Sequence, residues 1–533
     1  MKKQLTNIIN NNWFFVSLVC FVLILPFSAA LVSIMSGIIL VVALVEDSWH
    51  NKSVRFHRNK IILWLSAIYF IYILSAFFSD NLASSFYDLK KNLFYLVLPT
   101  AFLIGKSLLP IQKRYLFYAF TFSVVVSAIV TILNWKFSQT AATFGVHKAS
   151  LISHIRFSFQ LILVFWFIVV LIQKNYKKLN IWQRISFIIL ALYFISFLLF
   201  QQSLTGILAL IASSVFILVY LIFQTSINKR IVLFTLLMLV ISAPIAYISW
   251  VVTEFYDIEE VEPENIDKRT AQGNLYWHDF ENPLVENGGY VHLYICHEEA
   301  REEWNKISEI KYDSISVSGY PTYSTLLRYM TSKGLRKDAK GVQMLTPEDV
   351  ENVEKGIANV IFANKKFSLY PRVYQTVWEY YVYSKTGEAS HQSFSQRIEF
   401  AKAAIHIIKN NFWFGVGTGN WKKEFAKAYV EMNSKLDPEL YASSHNQYLN
   451  YIVKFGIFGF LLIMFALIYP VFKTKRHKDL LFALFLVFMF FVNFADSNLE
   501  SHMGSSFFVF FYSIFLITNG TNYLEMYPVK RSG

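Results

Sequence analysis

Cysteine is almost absent: two in 533 residues, Cys20 in an apolar run and Cys296 in a polar stretch, a distribution that argues against a structural disulfide. There is no HExxH, no paired CxxC and no nucleophile elbow, so metal chemistry and covalent serine chemistry have no motif to rest on. Internal repeats and low-complexity tracts are also missing, which sets repeat architectures aside. The first apolar run lacks a small-residue cleavage site and continues into a second. It is therefore expected to be retained rather than removed as a signal.

What the chain has in abundance is long apolar runs. It is 55% hydrophobic and 18% aromatic, with a mean hydropathy of +0.40, the composition of a polytopic membrane protein. A span needs about 20 apolar residues, slightly fewer in tight hairpins. The runs 12–28, 30–46, 61–78, 92–108, 114–135, 156–173, 184–200, 204–224, 231–252, 447–471, 479–495 and 504–519 predict about twelve spans. The net charge of +13 could signal nucleic acid, but the cations sit in alternate connections such as 52–60, 174–184 and 473–478. That is the positive-inside pattern, with no nucleic-acid partner implied. It places both termini in the cytoplasm and the long segment between the ninth and tenth spans outside. The expected fold is an all-α polytopic membrane protein divided into an N-terminal bundle (1–252, about nine spans), a large periplasmic loop domain (253–446) and a C-terminal part (447–533, about three spans and a cytoplasmic tail).

Within the loop segment, EFYDIEEVEPENIDKR reads as an exposed acidic linker in preference to a metal site. YVHLYIC (290–296) has the composition to pair as strands. Thr346-Pro347-Glu348-Asp349 predicts a helix start, with Val350, Val353, Ile357, Val360 and Ile361 on one apolar face.

Chemistry concentrates between Ser395 and Gly459. Ser395 is expected to cap a helix whose first turn then holds Arg397, a cation placed against the helix macrodipole. An anion shared between the guanidinium and the free N–H groups of that helix end would explain the placement. The glycine turn Gly415, Gly417, Gly419 lacks βαβ context, so it reads as a close backbone approach to a neighbour or ligand rather than a dinucleotide fingerprint. His445-Asn446 comes immediately before an apolar run and so puts an imidazole at the membrane–water boundary. His154 and Arg156, in SHIRFSFQL, begin the sixth span on the same side; an arginine snorkelling at a helix end is the ordinary structural reason for such a residue. Gln201, Gln202, Ser203 and Thr205 form a polar island between two spans. Asp496, Glu500 and His502 form another, and a plain solvated turn explains either one equally well. Topology inferred from unrelated charges puts Arg156, Arg397 and His445 on one face, which favours reading them jointly as a site.

The order of these features resembles the O-antigen ligase/polymerase superfamily of bacterial membrane glycosyltransferases. The resemblance rests on the span count, the large loop before the third-last span, the arginine on a loop helix, FGVGTGN, and SHNQYL followed by GIFG. The loop stretches GYPTYSTLLRYMTSKGLRKDAKGVQMLTPEDV and NLYWHDFENPLVENGGYVHLYIC, together with DSNLESHMGSSFFVFF, are similar to a ligase-like branch. It implies a GT-C-like bundle in the bacterial inner membrane with a mainly helical periplasmic domain and a periplasmic active site. It also implies inverting transfer of a glycan from undecaprenyl pyrophosphate to an acceptor hydroxyl, lipid A–core for a ligase, without metal or other cofactor. By motif match Arg397 would bind pyrophosphate and His445 would be the base or orienting group; Arg156, His154, Gln202, Ser203, Asn446, Gly417 and Glu500 would line the substrate. Where such ligases often carry a further arginine, in QQSLTG, this chain has Leu204, and Arg156 is the substitute on the same face.

Three acceptors share that donor chemistry: lipid A–core (ligase), another lipid-linked glycan (Wzy-type polymerase) and a protein (O-oligosaccharyltransferase). A transporter of lipid-linked glycan is a different class. It would require charges or broken helices deep in the bilayer, whereas the notable charges read from the sequence lie at span ends.

Overall fold

The computed structural model describes residues 12–137, 149–316, 319–364, 368–517 and 522–525; the tail expected beyond Glu525 and the last two positions of the run 504–519 lie outside these. The described chain is mostly helical. Each of the twelve expected apolar runs falls on a helix, and seven helices are long and apolar enough to cross a membrane: Trp49–Phe77, Pro110–Phe137, His154–Asn175, Ile181–Phe200, Leu204–Gln224, Ile227–Phe255 and Gln447–Lys473. Shorter apolar helices cover Trp13–Ile24, Ala29–Val45, Leu480–Ala495 and His502–Ile517, and Phe94–Ile104 carries Pro99 in its interior.

The chain forms two compact units, the smaller being Ile241–Gln396 and the larger drawing on the described residues before and after it. In the larger unit the core is dominated by phenylalanine. Phe117, Phe120, Phe485, Phe507, Phe511 and Phe515 are fully buried, and Phe482 stacks on Phe515 with centroids 5.0 Å apart. Lipid tails are as apolar as these side chains, so helix association relies on packing and close approach. Gly206 is an example: a methyl there would lie 2.6 Å from Ser158 Cβ.

The helix Gln447–Lys473 is broken at Gly456, whose φ of 63° and ψ of −174° are not helical. The glycine turn fills the break. Val416 N–H donates to the Val453 carbonyl at 2.8 Å, Gly417 N–H to the Lys454 carbonyl at 3.0 Å, and Ile457 N–H to the Phe412 carbonyl at 2.8 Å. These bonds replace rungs lost from the helical ladder, which buried backbone cannot leave open. Only glycine fits at the crossing: a Cβ on Gly456 would stand 2.3 Å from the Trp413 carbonyl oxygen, and one on Gly415 would stand 2.5 Å from Gly456 N. The turn's close approach is thus to its own chain.

In the smaller unit, Trp304, Tyr312, Leu326, Tyr329, Met330, Val350 and Val353 form a core. Thr346 caps the helix Pro347–Glu354 through a capping box with Asp349. That helix is shorter than its apolar pattern implied. Gly356, at φ 80°, turns the chain away, and Ile357 and Val360 pack on the core from beyond it. The stretch 290–296 pairs in part: Gly289–Tyr290 lies antiparallel to Val285–Glu286, and Ile295 bridges to both Trp277 and Lys337.

Candidate active site

His445 sits in the connection leading into the helix Gln447–Lys473, with φ at 48°. A non-glycine residue in this region carries strain of about 1–3 kcal/mol, which the surroundings must hold in place. Its ring stacks on Phe400, centroids 5.3 Å apart and planes at 23°. Its Nδ1 lies 3.0 Å from Asp496 Oδ1. The histidine side chain is 42% exposed and the aspartate 10%, so one imidazole nitrogen is held by a carboxylate while the ring stays open to solvent. Burial works against the charge on Asp496, but the His445 hydrogen bond, the charges of His445 and Arg156, and the Ser497 N–H prevail and hold its carboxyl below the usual range.

The turn 496–501 is the hub of this region. Gln447 Oε1 accepts from Leu499 N–H at 2.9 Å, and Asn450 Nδ2 donates to Ser497 Oγ at 2.7 Å. Arg156 Nε donates to Ser501 Oγ at 2.9 Å, while Ser501 Oγ accepts from Gly504 N–H at the start of the last helix. Among the described residues no carboxylate is in ion-pair reach of Arg156. Arg397 is half-buried and makes neither a hydrogen bond nor an ion pair with any described residue. It lies one turn before Phe400, the ring against which His445 stacks. Two arginines without carboxylate partners near a His–Asp pair make a region able to receive an anion.

The geometry corrects the reasoning that led to Arg397. The helix begins at Ser393, and Ser395 is not its cap: its Oγ donates to the Glu379 carbonyl at 2.8 Å. Phe394 N–H already donates to Glu379 Oε2 at 2.6 Å, and Gln396 N–H to the Gln392 carbonyl at 2.8 Å. Arg397 therefore falls in the second turn, and these helix-end donors are not free for an anion. Other sequence-selected residues have identifiable structural work. Asn446 caps its helix, its side chain accepting from Tyr448 and Leu449 N–H, and Ser203 caps Leu204–Gln224. Gly417 belongs to the turn that fills the helix break. His154 opens the helix that carries Arg156, and Gln202 stands at φ 53° in the 201–203 turn. Gln201 is buried there, its amide donating to Ser150 Oγ at 2.8 Å.

Glu500 has a different setting from the solvated turn that its sequence context allows. It is buried, and its Oε2 lies 2.7 Å from Lys454 Nζ. The same ammonium lies 2.9 Å from Asp88 Oδ2, with Lys454 and Asp88 side chains each 2% exposed. Trp421 Nε1 donates to that Asp88 oxygen at 2.9 Å. Sequence reasoning passed over Lys454 and Asp88, although a lone lysine eight residues into an apolar run is the available signal. Notable charges are therefore not confined to span ends, and Lys454 sits two residues before the helix break.

The described residues are mostly helical, and their seven long apolar helices have the length and composition of a multi-pass membrane protein. Residues 355–464, which include Arg397, the glycine turn, His445 and Lys454, match the family model described as O-antigen ligase. The match covers about a fifth of the chain. No curated protein matches the sequence.

Proposed function

We propose that the protein is an O-antigen ligase-like, inverting, metal-independent glycosyltransferase that moves a glycan from undecaprenyl pyrophosphate to lipid A–core on the periplasmic face of the inner membrane. The observation that carries this reading is the His445–Asp496 pair, open to solvent on the histidine side, with Arg156 and Arg397 lacking carboxylate partners among the described residues. An Asp496 that accepts from Nδ1–H leaves Nε2 as a proton acceptor. In the proposed step the acceptor hydroxyl oxygen bonds to the anomeric carbon and its proton passes to Nε2. The bond from that carbon to the pyrophosphate oxygen breaks from the opposite side, which inverts the centre. Charge grows on the leaving pyrophosphate, where Arg397 and Arg156 would act; each such preorganised donor is worth about 2–4 kcal/mol in a transition state. The base gains the usual factor of roughly 10²–10⁴ for positioned proton transfer.

One observation speaks for the transporter class: a helix broken at Gly456 beside a buried Lys454–Asp88–Glu500 cluster. Its backbone groups are taken by the 412–417 turn and its lysine by two carboxylates, so the break has an internal structural use. The deciding experiment displays envelope glycans in a deletion strain complemented with wild type or His445→Ala. Polymer lost from lipid A–core, with long polymer retained on undecaprenyl pyrophosphate, supports the ligase. Retained single repeat units indicate the polymerase, lost protein glycosylation the oligosaccharyltransferase, and periplasmic delivery of donor that fails in the variant the transporter.

A further inference from the structure

The smaller unit carries a strip of aromatic side chains most of whose polar edges make no hydrogen bond to a described residue. The extended segment around Trp277 is pinned by two backbone bonds to Ile295, Trp277 N–H donating at 2.7 Å and Ile295 N–H at 3.1 Å, and by Asp279 N–H donating to the His292 carbonyl at 2.9 Å. This pairing sets the Trp277 ring 6.0 Å from the His292 ring and 6.2 Å from that of His297. His297 continues the strip to Tyr323 at 6.3 Å, and its Nδ1 is fixed by Tyr312 Oη at 2.8 Å. Trp277 is 48% exposed and Tyr323 39%. Among the described residues the Trp277 indole N–H, both ring nitrogens of His292, Nε2 of His297 and the Tyr323 hydroxyl make no hydrogen bond.

We infer that Trp277, His292, His297 and Tyr323 form a platform for a saccharide chain. The rings offer flat apolar faces suited to the C–H faces of pyranoses, and their edges offer donors and acceptors to sugar hydroxyls. Partial burial favours neutral imidazoles at positions 292 and 297; His292 then presents one donor and one acceptor, the pairing a hydroxyl needs, and His297, its Nδ1 taken by Tyr312, presents Nε2 alone. Of the described cations nearby, Arg301 is held in a two-point bond by Asp313 and the buried Lys337 donates to the Tyr290 carbonyl at 3.2 Å, so neither stands open to an anion. Lipid acyl chains would leave the row of polar edges unsatisfied. The platform deepens the glycosyltransferase reading above, as a second place where a glycan is held, and its own binding test stands apart from catalysis.

The test uses the full-length protein in lipid nanodiscs and, as probe, oligosaccharide released by mild acid from the envelope of the expressing strain. Saturation-transfer NMR on wild type is expected to show binding that Trp277→Ala and Tyr323→Ala each weaken about 5- to 10-fold, with Trp277→Phe close to wild type. A Trp277→Ala protein that fails to fold leaves Tyr323→Ala and His292→Ala to report on the same surface. In transfer assays, an elevated KM for acceptor with unchanged kcat assigns the bound glycan to the acceptor, and an elevated KM for donor assigns it to the donor. Oligosaccharide binding that persists in His445→Ala while wild type transfers nothing would retain the platform and remove the glycosyltransferase reading. Wild-type binding undiminished in both alanine variants overturns the platform, as does a Trp277-dependent fluorescence component quenched by brominated lipids.

Discussion

Lys454→Met is the perturbation with the clearest expected magnitude. The ammonium lies 2.9 Å from Asp88 and 2.7 Å from Glu500, with Trp421 and Tyr72 rings 4.9 and 5.7 Å away. Methionine keeps most of the volume and the van der Waals contacts but leaves two buried carboxylates facing each other without a cation. Removing one partner of a buried ion pair costs about 3–5 kcal/mol, because the remaining charge is uncompensated. Replacing all partners by neutral groups costs far less. Reversible SDS titration of the purified protein should therefore show Lys454→Met destabilised by about 3–5 kcal/mol, and Lys454→Met/Asp88→Asn/Glu500→Gln recovering most of that loss. In the triple variant the amide introduced by Asp88→Asn retains an oxygen for the Trp421 N–H, so the indole is not stranded. A Lys454→Met protein within about 1 kcal/mol of wild type, or a triple variant worse than the single one, would refute the charge-compensation argument.

Gly456→Ala should prevent the helix break from closing on the glycine turn, since its methyl would enter the Trp413 carbonyl; loss of folded protein in size-exclusion profiles checks this, with Gly37→Ala, where a methyl meets open space, as the matched control. Asp496→Asn can donate to Nδ1 and impose the wrong tautomer on His445, so kcat for glycan transfer should fall by roughly 10²- to 10⁴-fold with little change in expression. Because the folded-state carboxyl of Asp496 is depressed, the stability its pairing contributes is present above the ordinary carboxylate range and disappears only as pH falls through its lower folded value; an acid titration followed by His445 NMR shifts reads this directly. Lys337 is 3% exposed and burial lowers its amine to about 7. Its folded pKa lies below its unfolded one, so its contribution is present above about pH 10 and is lost as pH falls towards 7, and Lys337→Met should flatten the stability profile across that window. Arg397→Lys, which keeps charge but not the two-point fork, should lower transfer at least about 10-fold; full activity would remove the bidentate contact.

Residue order alone was enough to mark the helices of the larger unit and to single out His445, Arg156 and Arg397. Apolar run length and cation placement are local properties, and a lipid environment allows a long apolar segment few structures besides a helix. The capping box at Thr346 was legible for the same reason, because a cap is written within four residues. What those residues meet came from packing in three dimensions. Ser395 has the identity of a cap, yet a carbonyl 16 residues earlier claims its hydroxyl. The partner of His445 lies 51 residues onward, and the partners of Lys454 lie 366 residues back and 46 onward. The glycines of the GVGTG turn could equally have cradled a ligand; that they instead fill a break at Gly456 depends on two distant backbones meeting at 2.5 Å or less from any added methyl. Charge pairing and backbone contact are set by proximity in space, which the order of residues along the chain leaves open until the helices are packed.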